Sequence, residues 1–118
     1  MEIVSWVLIG VLATTFLIVG YGKLSGTRAY HIAFIRWRLP PSFRIFTGVI
    51  EMAGALFLII GIWIHLIALT GAVLLFCVCI GGTLVHLKSR DSTNDMLPVM
   101  LLGLLSLFYI MLLFFWIL

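Results

Sequence analysis

Between Ile45 and Leu87 the chain carries one formal charge, Glu51, in a run about twice as long as one spanning helix needs. A run of that length has to turn back on itself inside the apolar phase. The break falls at Gly61-Ile62-Trp63-Ile64-His65, where glycine interrupts the helix and Trp and His suit the headgroup region. Two further apolar runs flank it, one after Ile3 and one before Leu118. The sequence therefore predicts four spans, at about 3–22, 43–62, 65–87 and 95–117, in one domain covering 1–118. The expected fold class is all-α: a polytopic membrane four-helix bundle with an interfacial amphipathic segment between its first and second spans. Strands are excluded because no dyad alternation of polar and apolar residues exists, and a membrane barrel requires one. In lipid the backbone must satisfy its own hydrogen bonds, which leaves helices.

Composition agrees. The chain is 64% hydrophobic and 9% charged, with a mean hydropathy of +1.33. A soluble domain is about 25% charged, so the principal partner is the bilayer. The net charge of +3 does not imply nucleic-acid binding, because no soluble domain is left to carry it. Its placement is the informative part. The loops 23–42 and 88–94, with Arg44 just inside the second span, hold all seven basic residues. The turn at 61–65 holds no Lys or Arg. The positive-inside rule then places both loops in the cytoplasm and both termini outside a plasma or inner membrane. The N-terminus lacks a basic n-region and an obvious cleavage site, so it is expected to be a retained span.

The first loop has structure of its own. Taken as helix over 28–38, it presents Tyr30, Ala33, Phe34 and Trp37 on one face and Arg28, His31 and Arg38 on the other. Arg36 and Ile35 blur this pattern. Such a segment lies along a membrane surface. It can serve as a lipid sensor or a lid, or simply as the basic anchor that orients the chain, which is the favoured reading. Pro40-Pro41 ends it. In the last span, Asn94 or Asp95 is expected as the cap and Pro98 in the first turn.

Charge at membrane depth costs about 2.5–3.5 kcal/mol on insertion scales, so Glu51 is the first candidate for function. It lies two turns past Arg44, about 10 Å along the axis. Lys23 closes span one on that side of the membrane and His86 closes span three. Tyr21 and Thr83 lie about one turn inward. The polar groups are thus expected to converge on one leaflet. Three readings of Glu51 stand: an interhelical pair with Lys23, a proton or ligand site, or a face for a partner protein. Gly48, Gly54 and Ala55, with Ala53, permit close approach of another helix. His86 has no second His or Cys at ligand spacing, so no metal site is expected. Cys77 and Cys79 stand about 200° apart on a helix and cannot pair with each other. Both are expected to be small buried apolar residues without thiol chemistry.

Several segments together carry a family resemblance. Gly20-Tyr21-Gly22-Lys23-Leu24-Ser25-Gly26 ends span one, and Leu39-Pro40 follows in the loop. Gly48-Val49-Ile50-Glu51-Met52-Ala53-Gly54-Ala55-Leu56 forms span two, His86-Leu87 ends span three and Pro98 opens span four. This resembles the DoxX-like family of small four-helix membrane proteins, in which a G-x-x-K-L helix end precedes a G-x-x-E-x-x-G-[GA] helix. The resemblance marks Lys23, Glu51 and His86 as family-typical polar positions. It implies an accessory subunit of a membrane oxidoreductase, in a quinone-linked or oxidative-stress pathway. The archaeal namesake is similar to the small subunit of a thiosulfate:quinone oxidoreductase. No catalysis by the chain alone is implied, and quinone is the one cofactor the resemblance suggests. The partner would be another membrane protein or a second copy of the chain. A distant animal relative that chaperones acetylcholine receptors gives the alternative, an assembly factor binding other transmembrane helices. A proton-coupled small exporter is a third reading. It is disfavoured because small exporters carry their Glu in the first helix.

Overall fold

The computed structural model describes residues 2–117, all of whose regular structure is helical. Helix α1 spans Glu2–Ser25, α2 Arg28–Arg36, α3 Pro41–Ile60, α4 His65–Lys88 and α5 Thr93–Ile117. All but α2 are long and apolar enough to cross a bilayer. The molecule extends 42 Å along its longest axis, against a hydrocarbon core of about 30 Å. It is a multi-pass membrane protein.

The chain order builds a ring. Helix α1 packs on α3, α3 on α4 and α4 on α5, and a slimmer seam between α1 and α5 closes it. Lipid tails are as apolar as Leu, so helix association here depends on close packing. Small residues supply it. Gly20 of α1 faces Gly48 of α3, and Gly54 of α3 faces Gly71 of α4. A methyl group on Gly71 would stand 2.7 Å from the Gly54 carbonyl oxygen and 2.8 Å from Phe57 Cβ. Ala55, Ala68 and Ala72 are fully buried in the core. Gly61 has ordinary right-handed geometry. Its role in the turn is space, because any side chain there would collide with Ala68. Leu12, Leu58, Leu75 and Ser106 fill the middle of the bundle with no exposure.

The helix ends at the loop face share one termination. After α1, Thr27 N–H donates to Gly22 O at 3.0 Å across Gly26, whose φ is +74°. After α2, Leu39 N–H donates to Phe34 O and Arg38 N–H to Ile35 O, with Arg38 at φ +61°. After α4, Asp91 N–H donates to His86 O and Arg90 N–H to Leu87 O, with Arg90 at φ +58°. Each is a Schellman ending, which satisfies carbonyls the helix leaves open. Helix α2 is accordingly shorter than 28–38, since Trp37 and Arg38 belong to its exit. The start of α5 also differs from expectation. Ser92, rather than Asn94 or Asp95, caps it through Asp95 N–H at 3.3 Å, and Pro98 falls in the second turn.

Gly71→Val should push α3 and α4 apart and cost about 1–3 kcal/mol of stability. Gly10→Val, where an added Cβ meets nothing within 4 Å, should be near neutral. Thermal unfolding of both variants in nanodiscs checks the contrast.

Candidate functional site

The floor of the site forms where α1 ends against α3. Lys23 lies in the last turn of α1 and Glu51 midway along α3. Lys23 Nζ donates to Glu51 Oε1 at 2.5 Å. The carboxylate side chain is 1% exposed and the lysine 15%. Arg44, also buried, does not reach Glu51. It donates instead to the Lys23 backbone carbonyl and so pins the end of α1. Gly26 has to be small for that, since an added Cβ would stand 3.0 Å from the Arg44 guanidinium. The chain then turns back as α2. The Tyr30 and Phe34 rings flank the ammonium, with centroids 6.0 and 5.9 Å from Lys23 Nζ. That distance is at the limit of a cation–π contact. Burial, reinforced by the Glu51 charge, lifts the Tyr30 hydroxyl above its ordinary pKa and keeps it protonated.

A second ionic cluster fastens α2 to the α4–α5 turn. Asp91 is the residue that completes the Schellman ending of α4, so its carboxylate is directed back toward the helix. It accepts hydrogen bonds from both terminal nitrogens of Arg36, from Trp37 Nε1 at 3.1 Å and from His86 Nδ1 at 2.6 Å. The Trp37 ring meets His86 and Phe34 edge-on, each at 5.1 Å. The Asp91 side chain is 2% exposed. The Arg36 hydrogen bond, opposed by burial and aided by His86 and Trp37, holds its carboxyl well below the usual carboxylate range.

Between the clusters lies a cleft of about 730 Å³, walled by all five helices. Its walls are mainly apolar, Phe16, Ile50, Leu74 and Leu102 among them, with Lys23 and Glu51 as the charged floor. The residues that both line it and are exposed on α3 and α4 are Phe43, Phe46, Cys77 and Gly81. They mark a lateral window between those helices. A smaller cleft of about 270 Å³ at the opposite end includes Ser5, His65 and Tyr109. The buried middle layer separates the two.

The polar positions named from sequence are thus not one constellation. Lys23 and Glu51 meet. His86 belongs to the Asp91 cluster. Thr83 donates to its own helix, to Cys79 O at 2.8 Å. Tyr21 is 66% exposed on the outer surface and joins neither cluster. Gly48, Gly54 and Ala55 all lie in intramolecular helix seams. Cys79 is buried, but Cys77 is exposed and lines the cleft, which corrects the expectation that both are buried. Sequence reasoning missed Arg36, Trp37, Asp91 and Tyr30. The signal for Arg36 was its misfit, since it was the residue that spoiled the amphipathic pattern of α2.

These features define a four-helix membrane bundle opened at one end into a polar-floored cleft, with a short amphipathic helix strapped across it. The DoxX-like family model matches residues 7–108, and the chain belongs to that family. No curated protein and no solved structure matches it.

Two outcomes follow from the clusters. Removing one partner of a buried ion pair strands the other and should cost about 3–5 kcal/mol. Lys23→Ala and Glu51→Ala should therefore be strongly non-additive in a double-mutant cycle on thermal stability, with Glu51→Gln milder than Glu51→Ala. Additive effects would remove the pair from the account. For Asp91 the folded-state pKa is depressed, so its anchoring is complete above the ordinary carboxylate value of 3.8 and is lost only as pH falls further. Hydrogen exchange of α2 amides should then keep the same protection factors from neutral pH to about pH 5. Asp91→Asn should lower protection in α2 while leaving α3 and α4 unchanged.

Proposed function

We propose that this DoxX-like protein is a non-catalytic accessory subunit of a membrane oxidoreductase and holds a quinone-class lipid in its large cleft. The observation that carries the reading is the cleft itself. Its volume falls within the range of small-molecule sites, about 300–1,000 Å³. It is apolar, opens sideways toward lipid and ends on an ion pair able to bind a polar ring head. A membrane-dissolved ring with an isoprenoid tail fits each of these features. The buried layer of Leu12, Leu58, Leu75 and Ser106 beneath it favours holding a ligand over passing one across, which weighs against an exporter. The partner is a redox subunit in the same membrane, a plasma or inner membrane. Both basic loops lie in the cytoplasm, because they carry the Lys and Arg residues that resist translocation.

Native mass spectrometry of the protein extracted from its own membrane tests the assignment. The chain should retain a quinone-class lipid and travel with a redox subunit. Recovery of the intact bundle with neither rejects the reading. A cysteine placed at Ser89 should resist a membrane-impermeant maleimide in intact cells. Labelling from outside reverses the orientation.

A further inference from the structure

Glu51 has two carboxylate oxygens, and the bundle uses one. Oε1 accepts from Lys23, and Oε2 has no hydrogen-bond partner. Among the described residues no fully buried side-chain polar atom lacks a partner. Oε2 is therefore the atom through which this carboxylate keeps its 1% of exposure, and the surface it meets is the cleft. Beside it Lys23 Nζ, with three protons, spends one on Oε1. The floor thus offers a charged acceptor and a charged donor within the reach of a single hydroxyl.

From this geometry we infer that the cleft selects lipophilic molecules whose head group is a hydrogen-bond donor, a phenol or an aromatic diol, over matched molecules that only accept. This rests on the reading of the cleft as a quinone-class site and adds to it a preference for the reduced, dihydroxy form. One ligand hydroxyl donates to Glu51 Oε2 and accepts from Lys23. A dione or an ether can accept from Lys23 as well. On entry, however, it covers Oε2 and brings no donor to it. A charged acceptor left unpaired in a dry site costs more than the bond it would have made. The apolar walls and lateral window bind both kinds of molecule equally, so the floor alone makes the discrimination.

The native thiol of Cys77 reports occupancy, because it lines the window and is exposed. In nanodiscs carrying a Cys79→Ala variant, alkylation of Cys77 by a lipophilic maleimide is followed with added para-decylphenol or its methyl ether. The same is done with decylubiquinol and decylubiquinone, whose fully substituted rings leave no free carbon for the Cys77 thiol to add to. The phenol and the quinol should protect Cys77 at concentrations about tenfold or more below those of the ether and the quinone. Glu51→Gln, where it folds, should shrink that ratio. Equal protection by both members of each pair overturns the inference and leaves the quinone-site reading in place. Protection by none of the four overturns the site reading and the inference together.

Discussion

A carboxylate at Glu51 has to be compensated before four helices can share a bilayer, and the loop end of the molecule is organised by that requirement. Water cannot do it at a site 1% exposed. A cation has to be brought to it, and the end of α1 brings Lys23. The lysine stem reaches only if α1 and α3 lie close, which is what Gly20 against Gly48 allows. The backbone of Lys23 then needs fixing, and the buried Arg44 guanidinium fixes it. The left-handed turn at Gly26 leaves room for that guanidinium and sends the chain back over the site as α2. Phe34 and Tyr30 then cover the ammonium from above.

Helix α2 has few neighbours of its own, which explains why Asp91 gathers so many donors. Its placement depends on two arginines, Arg38 and Arg90, held in left-handed backbone conformations that cost a non-glycine residue about 1–2 kcal/mol. The four hydrogen bonds converging on Asp91, three of them to charged or ring N–H groups on the strap itself, offset that strain. The shape of the turn and the hydrogen bonds are therefore one device. The ending of α4 directs the carboxylate, and the ending of α2 delivers Trp37 to it.

Much of this was legible in the sequence, and the reasons for the rest are specific. Four spans and the loop helix follow from hydropathy, because lipid permits little else. The Lys23–Glu51 pairing follows from the cost of a lone charge and the nearness of one cation. The Asp91 cluster did not follow. The usual marker of a Schellman ending is glycine or asparagine, and here arginine stands in that position. Two other misplacements were avoidable. Tyr21 lies two residues before Lys23, about 200° around α1, so a lysine facing inward puts the tyrosine outside. The same rotation applies to Cys77 and Cys79. It argued against their pairing and equally forbids burying both on one helix face.

The two ionic clusters divide the work of the open end. The inner pair is enclosed and forms the polar floor of an apolar cleft. The outer cluster sits at the rim and holds the strap that forms part of the wall. Beneath both, the bundle closes on Leu12, Leu58, Leu75 and Ser106 without exposure. The cleft thus lies on one side of that layer. Such a shape is a cup closed at its base. The charged side chains at the floor and rim are acid–base and hydrogen-bonding groups, and Cys77, the thiol in the wall, lies at the window with Cys79 turned into the core.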